Sequence, residues 1–187
     1  MDLKGMTFND YFMRDWWKVI PNFRKPIIAA INGMCFGGGL EVAMMADILI
    51  ASENAKLGQP EINLGILPGS GGTVRLTSAV GKSKSMEMCL TGEPITAQDA
   101  LKSGLVSQVH PKEKLLEAAY TLAKKIASKS QIAASFTKRA VRQALEVGET
   151  SAIEHERSLF MGIMNSHDKK EGVSAFVEKR KPNFKDE

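Results

Sequence analysis

An α/β chain that ends in a helical region is predicted by three features of the 187-residue sequence. Pro26 to Cys35 is apolar apart from Pro26, Asn32 and Gly33, the pattern of a strand buried on both faces. Gly37, Gly38 and Gly39 then turn the chain into LEVAMMA, residues 40–46, which reads as helix and leads to a second apolar strand. From Pro111 onward the composition shifts to helix formers. The predicted division is therefore residues 1–110 for the α/β part and 111–187 for the helices.

The bulk numbers narrow the class. A hydrophobic share of 43% with 25% charged residues is ordinary for a globular chain with one proper core. The net charge of +4 is mild, and no arginine-rich run or aromatic platform argues for nucleic acid. A basic balance suits a phosphorylated ligand equally well. Cys35 and Cys89 make no disulfide framework and point to a reducing compartment. The longest apolar candidate is broken by Asn32, Glu41 and Asp47, short of the roughly 18 residues of a membrane span. MDLKGM at the start has neither a secretory nor an Arg-rich transit pattern.

In chain order, Thr7 to Phe23 reads as a helix. Thr7 is its N-cap, Phe8, Tyr11, Phe12, Trp16 and Ile20 recur at helical spacing, and Pro21 marks its end. After the central stretch, 70–80 and 82–90 read as two short helices parted by Gly81. Residues 96–103 are a short helix stopped by Gly104, and 105–109 a strand. Helical spacing then places helices over 114–128, 133–145, 150–165 and 169–179. Lysine and arginine outnumber glutamate between Lys112 and Arg142, which describes solvated helix faces.

Nucleotide and metal motifs fail on spacing. Gly69, Gly71 and Gly72 do not complete GxGxxG, because position 74 is Val. Gly81-Lys82-Ser83 ends like a P-loop, but Leu76 stands where its first glycine belongs. His110, His155 and His167 fit no metal or nucleophile pattern, and no metal ligand set is assigned.

The remaining chemistry lies between Lys25 and Gly72. Glycine N–H groups at a helix start have no intrahelical acceptor and suit a developing oxyanion. Glu41 follows in the first turn, and Glu61 sits behind Pro60, whose φ is fixed. Adding water to a double bond conjugated with a carbonyl needs oxyanion donors, a base for the water and an acid for the α-carbon. A glycine-rich helix start beside two carboxylates can supply all three. The same residues have plainer readings: Glu41 complementing the helix dipole, the glycines serving turn geometry, Glu61 a solvated loop carboxylate.

The segments KPIIAAINGMCFGGGLEVAMMADILIA, QPEINLGILPGSGGTVRL, LTGEPITAQDALKSGLV and AFVEKRKPNF strongly resemble the enoyl-CoA hydratase (crotonase) family, its short-chain mitochondrial-type hydratases above all. The resemblance implies a spiral of strand-strand-helix turns followed by helices that mediate oligomerisation and close over the coenzyme A site. No sequence repeat announces such turns. It further implies syn hydration of trans-2-enoyl-CoA to 3-hydroxyacyl-CoA in fatty-acid β-oxidation, with Glu41 and Glu61 catalytic. Both glutamates being present favours hydratase; enoyl-CoA delta-isomerase is the enzymatic alternative.

By the same resemblance Gly38 N–H holds the thioester oxygen and Gly69 helps hold the catalytic water. Met1, Asp2, Leu3 and Lys4 match a substrate-binding loop, with Met1 at the position of the second oxyanion donor. Lys4, Phe176 and Lys179 match coenzyme A-binding positions. The loop stands at the chain start, so the expectation is an N-terminally truncated form of the family domain, and a truncated, co-assembling subunit is the non-enzymatic alternative. No cofactor is implied, the acyl group arriving on coenzyme A. The implied partners are acyl-CoA and further copies in a homotrimer or homohexamer, with neither nucleic acid nor membrane; the implied location is the mitochondrial matrix.

Overall fold

The computed structural model describes residues 19–186. Met1, Asp2, Leu3, Lys4 and most of the helix expected from Thr7 lie outside the described residues. Those described form two compact units, one of residues 19–23 and 27–115 and one of residues 24–26 and 116–186.

In the first unit the apolar run from Pro26 becomes two strands, β1 (Ile28–Ile31) and β2 (Met34–Phe36), rather than one. The break falls at Asn32 and Gly33, where an exposed polar side chain interrupts the apolar pattern and the chain bends. α1 (Gly38–Ala43) follows, then β3 (Ile48–Ser52), β4 (Lys56–Gly58), a 3-10 turn at Pro60–Leu64 and α2 (Gly72–Thr91). β5 (Ile95–Thr96), α3 (Ala97–Lys102) and β6 (Gln108–His110) complete the unit. One sheet runs β1-β3-β6 and the other β2-β4-β5.

Two successive turns thus read strand, strand, helix. Their first strands stack in parallel, Ile28 opposite Ile48, and their second strands do the same, Met34 opposite Lys56. This is the expected spiral. No sequence repeat reveals it because the two turns share only a path: MCF faces KLG across the second pair. Leu40, Leu57, Leu76, Met88 and Val106 lie in the buried core of the unit.

Element ends follow local chemistry. α1 stops at Ala43, earlier than its apolar run, because Met45 and Ala46 N–H close back on Val42 and Ala43 O at 3.0 Å each. Asp47 Oδ2 then accepts the Ile27 N–H at 2.7 Å, tying the entries of β1 and β3 together. α2 is broken at Gly81, with φ 78° and ψ 167°, and the Thr77 hydroxyl donates across the kink to Ser85 Oγ at 2.8 Å. β6 begins at Gln108 and not at Leu105, since Leu105 and Val106 N–H donate to Ala100 O and finish α3 instead of joining a ladder.

The second unit contains α4 (Leu115–Ala127) from Leu116 onward, α5 (Gln131–Ala144), α6 (Glu149–Ile163) and α7 (His167–Val177). Ser130 and Ser166 cap α5 and α7, accepting from Ala133 and Lys169 N–H at 3.3 and 3.1 Å. α5 and α6 pack closely where Gly162 leaves room for the Phe136 ring. No described helix is long and apolar enough to cross a membrane.

The chain beyond α7 folds back onto helix starts. Asp168, 2% exposed, accepts the N–H of Lys185 at 2.8 Å and of Asp186 at 3.1 Å, while Asp186 Oδ1 accepts the Gln131 N–H at 2.7 Å. Arg180 grips Glu171 through two nitrogens at 2.7 and 3.0 Å. Burial opposes the Asp168 charge, but the Ser130 hydroxyl, the two N–H donors and neighbouring His167 outweigh it and hold the carboxyl below its usual range.

Asp168→Ala is expected to destabilise the chain by about 2 kcal/mol, read from denaturant unfolding. Because the folded carboxyl titrates below its unfolded value of about 3.9, its contribution is complete above that pH and lost as pH falls through the folded value. The gap between wild type and Asp168→Asn should close below about pH 4.

Candidate active site

The site grows from the ends of two paired strands. β2 and β4 run parallel, with Phe36 opposite Gly58 and the Gly37 N–H donating to Gly58 O at 3.0 Å. The chain leaves β2 through Gly37 into α1 and leaves β4 through Gln59 into the Pro60–Leu64 turn. One carboxylate stands just beyond each strand end.

Gly37 has φ 52°, a conformation L side chains rarely adopt, and an added Cβ would sit 2.9 Å from Glu61 Oε1. Glycine is required here twice over. Gly38 opens α1, so its N–H has no intrahelical acceptor.

Glu41 lies in the first turn of α1 and is 2% exposed. Its Oε1 accepts two backbone N–H groups, from Ser70 at 2.6 Å and from Gly72 at 2.8 Å. Such donors offset the cost of burying a carboxylate. Gly72 admits no side chain, because a Cβ would come within 2.6 Å of Pro68, 2.8 Å of the Gln59 amide and 2.9 Å of Glu41 Oε1. Gly69 is exposed and adjoins Ser70 at the start of this loop.

Glu61 is half-buried in the 3-10 turn, which Pro60 opens and Gly65 closes in the left-handed conformation at φ 71°. Its neighbour Gln59 is fully buried. Hydrogen bonding orients the Gln59 amide nitrogen toward both Glu61 oxygens, at 2.9 and 3.0 Å. Burial pushes the Glu61 carboxyl up from its ordinary 4.5, a backbone hydrogen bond within the residue pulls it down, and the Glu41 charge raises it.

Gly38, Glu41, Glu61 and Gly69 are thus gathered around one strand-end region. Phe176, 85% exposed, lies in α7 and Lys179, with φ 54°, just beyond it, both in the second unit. Met1 to Lys4 are outside the described residues. Sequence reasoning weighed Gly72 only as part of a nucleotide motif and gave Gln59, Ser70 and Arg75 no site role, although all four stand inside the quoted QPEINLGILPGSGGTVRL. Nothing local in the sequence marks Gln59, because its burial follows from the fold.

Cys89 also belongs to this neighbourhood. Burial raises its thiol, a hydrogen bond with Ser85 lowers it, and the Glu61 charge raises it. Burial raises Cys35 to about 11. Among the described residues no group of three or more His, Cys, Asp or Glu is placed to hold a metal ion.

The chain matches the family described as enoyl-CoA hydratase/isomerase over residues 6–187. It is 48% identical over 189 residues to the mitochondrial enoyl-CoA hydratase of Pongo abelii, covering 100% of this chain and 65% of that protein. A probable enoyl-CoA hydratase of Rhizobium meliloti (strain 1021) is 49% identical over 187 residues, covering 98% of this chain and 73% of that one. The solved enoyl-CoA hydratase from Bacillus anthracis superimposes with a TM-score of 0.94 at 38% identity, covering 100% of this chain and 75% of that one. The chain spans 65% and 73% of the lengths of these two curated relatives, the first figure under two thirds.

Two substitutions should move the Glu61 carboxyl in opposite directions, read by carbon-13 NMR titration. Glu41→Gln removes a like charge and lowers its midpoint; Gln59→Leu removes two donors and raises it. A midpoint unmoved by either would contradict the geometry described.

Proposed function

The chain belongs to the enoyl-CoA hydratase/isomerase family, and on that premise we propose that it adds water across trans-2-enoyl-CoA thioesters to give 3-hydroxyacyl-CoA in fatty-acid β-oxidation. The observation that carries this reading is the pair of carboxylates at neighbouring strand ends. Glu41 is buried on two backbone donors, and Glu61 is half-buried beside it.

The proposed chemistry uses both. The water oxygen bonds to C3 of the enoyl group as its proton passes to Glu41, which gives that proton up again while Glu61 is reprotonated before the next turnover. The C2–C3 π electrons pass toward the thioester carbonyl, whose oxygen the Gly38 N–H holds. Glu61, whose raised carboxyl can carry a proton, delivers it to C2 and shares in orienting the water. Gly69 is assigned to the water. Met1 to Lys4 are assigned to the substrate loop, with Met1 as second oxyanion donor, and Lys4, Phe176 and Lys179 to coenzyme A.

The acyl group travels on coenzyme A, so the proposed chemistry calls on no further cofactor. Assembly into a homotrimer or homohexamer is part of the proposal. It is supported by large apolar side chains left exposed on the later helices, among them Tyr120, Phe160, Met161 and Phe176. Residues 111–187 would carry that assembly and close over coenzyme A. The mitochondrial matrix is proposed from the likeness to the Pongo abelii protein; a bacterial relative matches as well.

Hydration of a short trans-2-enoyl-CoA, followed as loss of the conjugated thioester's ultraviolet absorbance, tests the reading. Glu41→Gln and Glu61→Gln should each lower kcat by roughly 100- to 10,000-fold with little change in KM. No turnover by folded wild-type protein would overturn it.

A further inference from the structure

The loop that holds Glu41 has a second face, and a cation sits on it. Arg75 stands in the first turn of α2, its N–H donating to Gly71 O at 2.9 Å. Its Nη1 donates to Ser70 O at 2.7 Å. The guanidinium lies directly against Gly71, whose φ is 91°, so that any side chain there would collide with it. Ser70 therefore offers its carbonyl to Arg75 and its N–H to Glu41 Oε1. Gly72, on the other side of Gly71, offers its N–H to the same oxygen.

A Gly-Ser-Gly-Gly segment has little conformational preference of its own. Left to itself it would not keep two N–H groups aimed at one carboxylate oxygen. A guanidinium fits the task better than an ammonium, because its planar donors are fixed relative to one another and its charge is permanent. We propose that Arg75 is a positioning residue for Glu41, fixing the Ser70 carbonyl and thereby aiming the Ser70 and Gly72 N–H groups at Glu41 Oε1. This rests on the reading of Glu41 as the carboxylate that activates water.

The test is a cycle in the full chain: wild type, Arg75→Ala, Glu41→Gln and both together. Arg75→Ala should lower kcat about tenfold to a hundredfold, with KM nearly unchanged. The double variant should be no slower than Glu41→Gln alone, because two groups acting as one unit are not additive. Added guanidinium ion should restore part of the Arg75→Ala loss. Full additivity, or a change confined to KM, would overturn the proposal.

Amide hydrogen exchange supplies a readout independent of turnover. Arg75→Ala should speed exchange at Ser70 and Gly72 about tenfold or more relative to amides beyond Val80. Equal rates would overturn the proposal even in a chain without activity, where only the hydratase reading would have failed on its own assay. Should Arg75→Ala not fold, Arg75→Lys keeps the charge and loses the fork. It is expected to show a smaller kcat loss with the same non-additivity, and additivity there would count against the proposal in the same way.

Discussion

Glu41 sets the terms for its half of the molecule. A carboxylate at 2% exposure must be met by donors, and the protein meets it with backbone N–H groups from a segment 29 and 31 residues further on. That demand reaches outward. The loop has to pass within hydrogen-bonding distance of α1, so position 72 has no room for a side chain. Its peptides must turn sharply at Gly71, and the Ser70 carbonyl takes a donor of its own from Arg75. A short glycine-rich sequence is thus determined from both sides.

The spiral explains why a second carboxylate arrives at the same place. β2 and β4 occupy neighbouring positions in one sheet, so whatever follows each strand end is brought alongside. Glu41 follows β2 through a helix start and Glu61 follows β4 through a 3-10 turn. Gly37 makes the approach feasible, since a Cβ there would press on Glu61 Oε1. Successive turns of one path therefore place two like charges together without any local sequence signature linking them.

That distinction also governs what could be read in advance. Features fixed within a few residues were legible. The glycine turn into α1, the break at Gly81, the Thr96 start and Gly104 stop around α3, and the later helices all follow from local spacing and capping. Features fixed by distant partners were not. The corner at Asn32 depends on β1 and β2 finding different sheets, and β6 begins late because Ala100 O claims the preceding N–H groups. Gln59 was visible as a residue, but its bond to Glu61 requires knowing that β4 ends under the Pro60 turn. Asp168 reads locally as an acidic first-turn residue, while its principal partners lie 17 and 18 residues away.

The two glutamates differ in setting, and the difference bears on how work is divided between them. Glu41 has one oxygen committed to two N–H donors, an arrangement that holds the carboxylate rigidly in place. Glu61 is partly desolvated, lies in the field of Glu41 and has the Gln59 amide along its edge, a balance in which burial pushes its carboxyl upward. A carboxylate fixed by backbone donors beside one whose carboxyl burial pushes upward suits one fixed acceptor and one group able to carry a proton. Syn addition of water asks for that pairing, because one proton leaves the water and another reaches the α-carbon on the same face. The environments, more than the shared residue type, are what make the proposed roles of Glu41 and Glu61 distinct.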